Sequence, residues 1–132
     1  MHIRFALGHA HIALALLACL SASPALAKRA APRIAKPLVV GDIRYQVVHD
    51  RYTANNRPAG IRAYVEAWDV KANKSLWKVK VYEIVYDQNL ETDVQDVYIE
   101  SLALDGKKLV ATTERKQSYR IDIDRHEVDE AK

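Results

Sequence analysis

Hydrophobic and polar residues alternate with a period of two along most of the chain after Leu38. The alternation is clearest over residues 43–47, 61–68 and 77–82. Because this period places successive side chains on opposite faces, each stretch is predicted to be a strand with one buried face. Three more strands are predicted over 97–104, 109–113 and 119–123. The first of these is apolar on both faces apart from Glu100 and Ser101, which predicts a more central strand.

Turn-forming residues separate these stretches. A polar loop is predicted over 55–60, and Asn73 lies where a tight turn needs a left-handed residue. Asp105-Gly106 is the strongest hairpin motif in the chain. The acidic stretch 87–96 is expected to form a loop or one helical turn. We therefore predict an all-β, single small antiparallel domain of about six strands, built as a meander, a sandwich or a partial barrel.

The beginning of the chain has a different pattern. Arg4 precedes an apolar run over 12–20, and Ala25-Leu26-Ala27 has the small residues of a signal-peptidase cleavage site. This order is typical of a cleaved secretory signal peptide over 1–27, and the run is shorter than the roughly 20 residues that span a bilayer. Cys19 follows Leu16-Leu17-Ala18 in a sequence that resembles a bacterial lipobox, so lipidation of Cys19 is the alternative. Either outcome predicts a periplasmic or secreted protein.

The charge and cysteine content of the chain argue against nucleic-acid binding and against cysteine-based catalysis. From Leu38 onward there are 15 basic and 17 acidic residues, so no basic surface for nucleic acid is expected. Residues 28–37 are basic and contain two prolines, which predicts an extended linker before a domain over 38–132. Cys19 is the only cysteine, so the rest of the chain has no disulfide and no cysteine nucleophile. A membrane partner is expected only if Cys19 is lipidated.

Two segments resemble parts of a β-propeller blade. Residues 64–77, YVEAWDVKANKSLW, resemble the PQQ-type repeat, with Asp69 and Trp77 at matching positions and Asn73 where the repeat has a glycine. Residues 101–128 resemble the strand–turn–strand rhythm of such blades, and the whole layout is similar to that of small exported bacterial proteins of uncharacterised family. The resemblance implies a blade-like fold. It does not imply quinone binding, because a propeller needs several blades, so no cofactor is predicted.

Two groups of residues are candidate sites. Asp87, Glu91, Asp93 and Asp96 form an acidic stretch that could supply the oxygen ligands of calcium, although it lacks the EF-hand spacing. Tyr64, Trp68 and Tyr82 are predicted on outward faces of their strands. Large aromatic residues there indicate either a second covering layer or a surface that binds protein or sugar. Trp68 and Trp77 also fit a simple packing role.

No motif for catalysis is present. The isolated Gly41, Gly60 and Gly106 form no phosphate loop, and the serines and histidines after residue 27 match no nucleophile motif. The sequence therefore predicts a non-catalytic binding protein of the bacterial envelope, an accessory, inhibitor or immunity-like partner of another exported protein. The alternatives are a calcium- or glycan-binding module and, less favoured, a small hydrolase.

Overall fold

A computed structural model describes residues 29–131 of the 132-residue chain. The predicted signal peptide 1–27 and the alternative lipidation site Cys19 lie outside the described residues. None of the helices within the described range is long and apolar enough to cross a membrane.

The chain forms two antiparallel sheets, and the strands of each follow one another in sequence order. The first sheet contains β1 (Leu38–Val40), β2 (Ile43–Ala54), β3 (Arg57–Asp69) and β4 (Lys74–Val85). A one-turn helix, α1 (Thr92–Gln95), leads to the second sheet, which contains β5 (Ile99–Asp105), β6 (Lys108–Thr113), β7 (Ser118–Asp122) and β8 (Val128–Ala131). Each sheet is therefore a four-stranded meander.

The inner faces of the two sheets pack against each other and share one hydrophobic core. From Ile61 to Ala67 every second residue of β3 is buried, and Ala63, Val65 and Ala67 have no exposed surface. Leu109, Ala111 and Ile121 of the second sheet are equally buried in the same cluster. Because buried residues of both sheets meet in one cluster, the two sheets pack face to face and the molecule is a β-sandwich.

The all-β antiparallel prediction is confirmed, with eight strands rather than about six. The two additional strands, β1 and β8, have three and four residues, too few to show a clear alternation. The polar loop predicted over 55–60 is shorter than expected, because pairing continues to Ala54 and Arg57. Asn55 and Asn56 form the turn with φ angles of 51° and 59°, the left-handed conformation that a two-residue hairpin requires. The hairpin predicted at Asp105-Gly106 and the helical turn in 87–96 are both present.

The prediction of a central strand over 97–104 is wrong. The strand β5 is an edge of the second sheet and pairs only with β6. Its apolar character has two other causes: Ile99 packs in the core, and Val97 and Tyr98 are buried before the strand begins. Beyond Ser101 most of the strand is exposed.

Residues 29–37, which we call the N-terminal arm, have no regular secondary structure and lie against the start of β5. The backbone N–H of Ala35 donates a hydrogen bond to the carbonyl of Ile99 at 2.9 Å, and Ala35 is buried. The guanidinium of Arg29 forms an ion pair with Glu114 and donates to the backbone carbonyl of Asp96 at 3.1 Å. The segment expected to be a linker thus contacts the domain through Arg29 and Ala35, whereas its other residues are exposed.

Candidate functional site

The outer face of the first sheet carries a group of aromatic and cationic side chains. Arg62, Tyr64 and Trp68 lie on the face of β3 opposite to its buried alanines and valine, as the period-two pattern predicts. The strand register places side chains of the neighbouring strands beside them. Arg44 of β2, for example, pairs with Trp68. We call the following set the aromatic–cation face: Arg44, Tyr52, Arg62, Tyr64, Trp68 and Lys78.

Each aromatic ring of this face has its own cation. The guanidinium carbon of Arg44 lies 5.8 Å from the ring centre of Trp68, and the Nζ of Lys78 lies 4.5 Å from that of Tyr64. The guanidinium carbon of Arg62 is 3.8 Å from the ring centre of Tyr52. Such cation–π contacts hold the long side chains in defined positions.

Carboxylates complete the polar network of the face. The side-chain amide of Gln46 donates to Glu66 at 2.8 Å, and hydrogen bonds from Ser75 and Gln46 lower the pKa of Glu66. Glu83 lies 2.8 Å from the Nζ of Lys80 and 3.3 Å from the Nε of Arg62. Hydrogen bonds from Lys80 and Tyr52 lower the pKa of Glu83 to about 2. Both carboxylates are therefore ionised at neutral pH.

Tyr82 does not belong to this face, contrary to the sequence prediction. Pairing shifts between Ala63↔Tyr82 and Tyr64↔Lys80, so Val81 is an extra residue in β4. Such a bulge breaks the alternation, and the side chains of Val81 and Tyr82 both pack with the core. The ring of Tyr82 lies 5.3 Å from that of Tyr119, and its hydroxyl donates to the carbonyl of Val97 at 2.6 Å.

The four acidic residues predicted to bind calcium do not converge. The exposed Asp87 uses one carboxylate oxygen to accept from the backbone and side-chain nitrogens of Asn89, each at 2.9 Å. Glu91 and Asp93 are exposed, whereas Asp96 is buried. Among residues 29–131, no three His, Cys, Asp or Glu side chains are placed to hold a metal ion. The structure therefore does not bring the four carboxylates together, since Asp96 is buried in the domain and the other three residues are exposed.

Asp96 instead forms the buried centre of a polar cluster that the sequence did not predict, in which Arg51 is exposed. Its carboxylate accepts hydrogen bonds from Arg51, from the hydroxyl of Tyr86 and, at 3.0 Å, from the hydroxyl of Tyr98. Burial raises the pKa of both tyrosines, so their hydroxyls remain protonated donors. We call Arg51, Tyr86, Asp96 and Tyr98 the Asp96 cluster. With its two oxygens accepting from three donors, the carboxylate acts as a structural link between the sheets.

The histidines and Trp77 lie on the inner side of the sandwich or at its end. The Nε2 of His49 accepts a hydrogen bond from the backbone N–H of Ile99 at 3.1 Å. His126, which has a φ angle of 57° in the turn before β8, lies with its ring 4.6 Å from that of Trp77. Trp77 also lies 6.0 Å from Tyr45, which fits the packing role considered for it.

Comparison of the chain with protein-family models, with curated protein sequences and with solved structures found no match in any of the three.

Proposed function

We propose that this chain is an exported, non-catalytic binding protein of the bacterial envelope, and that it holds another exported protein on its aromatic–cation face. Export is inferred from the leader-like pattern over 1–27. The single observation that supports the binding role is that Tyr52, Tyr64 and Trp68, each with its own cation, lie on a sheet face that the hydrophobic core does not use.

The residue types on the aromatic–cation face favour a protein partner. Tryptophan, tyrosine and arginine are the residue types that most often dominate the free energy of protein–protein binding. Here Trp68, Tyr64, Arg44 and Arg62 lie on adjacent strands of one rigid sheet. Side chains already held by cation–π contacts lose less conformational freedom on binding, which favours affinity.

The same contacts disfavour the glycan alternative. A sugar ring binds by stacking on an open aromatic face. Arg44 lies over the ring of Trp68 and Lys78 over that of Tyr64, so a sugar that stacks on either ring has to compete with its cation. A protein partner can instead contact the ring edges and the cations together.

The test is capture of a partner by the wild-type chain and by Trp68→Ala. The chain, tagged at its C-terminus, is incubated with an extract of secreted and envelope proteins from its own source, and bound proteins are identified by mass spectrometry. We expect one stoichiometric partner, at least tenfold less of it with Trp68→Ala, and a melting temperature within a few degrees of wild type, since half-exposed side chains outside the core contribute little to stability.

Arg120→Ala is the matched control, because Arg120 is an exposed cation on the outer face of the second sheet. It should capture the partner as the wild type does. Loss of several kcal/mol of stability in Trp68→Ala would identify Trp68 as a core residue and contradict the proposal. So would capture that depends on Arg120 and not on Trp68.

A further inference from the structure

The free side of β5 is only partly covered by the N-terminal arm. Ala35 donates to the carbonyl of Ile99, so an extended segment already pairs with the first residue of this edge. In the described part of the chain, residues 101–105 of β5 have a strand partner on one side only. Because an edge strand presents unpaired backbone groups, this part of β5 can accept another strand.

A groove runs between the arm and this edge. Its volume is about 490 Å³, and its walls are Arg33, Ile34 and Lys36 of the arm and Glu100, Ser101 and Leu102 of the edge. That volume lies within the range of about 300–1,000 Å³ that is usual for ligand sites. Ile34, at 53% exposed, and the half-buried Leu102 give the groove apolar contact surface.

The groove carries excess positive charge. Arg33 and Lys36 are exposed, and neither has an ion-pair partner within residues 29–131. Glu100, the acidic residue of the groove, is already paired with Lys116. A ligand that enters beside the arm therefore meets two cations, and acidic side chains complement them.

We propose that this groove binds an extended acidic segment of a partner protein, which adds as a strand beside residues 101–105 and pairs its carboxylates with Arg33 and Lys36. Strand addition gives affinity through backbone hydrogen bonds, and alternate side chains give specificity. The groove shares no residue with the aromatic–cation face, so this inference is independent of the function proposed above.

The probe is a fluorescently labelled eight-residue peptide that alternates glutamate and valine, with binding to the purified chain followed by anisotropy. A lysine–valine peptide is the charge control, and a glutamate peptide with central prolines is the control that cannot form a strand. We expect only the glutamate–valine peptide to bind, and we expect slower amide hydrogen exchange at residues 101–105 when it does. The double variant Arg33→Glu, Lys36→Glu should bind it about tenfold more weakly, or worse.

Arg57→Glu, Lys74→Glu is the matched variant, because both residues are exposed cations on the first sheet. It should bind the peptide as the wild type does. The proposal is overturned if no binding occurs up to 1 mM peptide, if the lysine–valine peptide binds equally well, or if exchange at 101–105 is unchanged. The proposal is also overturned if the amides of residues 101–105 exchange slowly without peptide and the chain sediments as a dimer. In that case a second copy of the chain occupies the groove.

Discussion

At the residue scale, Asp96 is the one charged residue that is buried within residues 29–131. Three donors, the nearby Tyr86 and Tyr98 and the sequence-distant Arg51, converge on its carboxylate, and the side chain is 1% exposed. Asp96→Ala leaves two buried hydroxyls without this acceptor, so we expect a loss of about 2–4 kcal/mol in the free energy of unfolding, measured by urea denaturation. Asp93→Ala, an exposed neighbour in the same acidic stretch, should cost less than about 0.5 kcal/mol. Equal effects of the two substitutions would contradict the central position of Asp96.

His49 gives the molecule a pH-sensitive contact between the sheets. Burial lowers the pKa of His49, opposed by the charges of Asp96 and Glu114, and the neutral ring accepts from the N–H of Ile99. Because the folded state favours the neutral form, this contribution to stability is complete above the ordinary pKa of about 6.5 and decreases as the pH falls toward the lower folded pKa.

We therefore expect the urea midpoint to fall between pH 7 and pH 5 in the wild type. His49→Gln retains an oxygen that can accept from Ile99 but does not titrate, so its midpoint should vary less over this range. His126→Gln should keep the wild-type dependence, since His126 lies in an exposed turn. A pH dependence that is the same in wild type and His49→Gln would show that another group is responsible.

At the scale of elements, the bulge in β4 decides which aromatic residues face outward. Val81 and Tyr82 both pack with the core, and the hydroxyl of Tyr82 bonds to Val97, which precedes β5. Tyr82→Phe removes this hydrogen bond and should cost about 1 kcal/mol of stability in thermal or urea unfolding. Tyr64→Phe on the outer face should change stability by less than about 0.5 kcal/mol. A larger loss of stability in Tyr64→Phe than in Tyr82→Phe would indicate that Tyr82 lies on the exposed face.

The same bulge shows why the sequence predicts some elements and not others. Alternation over 61–68 is local, so the buried face of β3 and the outward position of Tyr64 and Trp68 could be predicted from it. The bulge at Val81 depends on how β4 pairs with β3, which alternation along β4 alone does not contain. For the same reason alternation contains neither the edge position of β5, which depends on the order of strands in the sheet, nor the contact of Asp96 with the sequence-distant Arg51.

At the scale of the whole molecule, two four-stranded meanders share one core. Most buried apolar residues of both sheets belong to one cluster, beside a smaller one formed by Ile61, Tyr86 and Tyr98, so neither sheet has a complete core of its own. Two separate blades, by contrast, would each unfold on their own. Trp68 and Trp77, the two tryptophans of the chain, both lie in the first sheet, but Trp77 also contacts His126 in the turn between β7 and β8. The unfolding test is therefore made in a Trp77→Phe background, in which the fluorescence of Trp68 reports the first sheet alone.

A substitution in the second sheet therefore tests whether the two sheets unfold together. Leu109 of β6 is fully buried, and Leu109→Ala should lower the free energy of unfolding by about 2–5 kcal/mol. Since the core is shared, the urea transition followed by tryptophan fluorescence should shift as far as the one followed by far-ultraviolet circular dichroism. Val110→Ala, on the outer face of the same strand, should shift both transitions by less than half as much. A fluorescence midpoint that stays at the wild-type value, with circular dichroism changing in two steps, would mean that the sheets are separate folding units joined through α1.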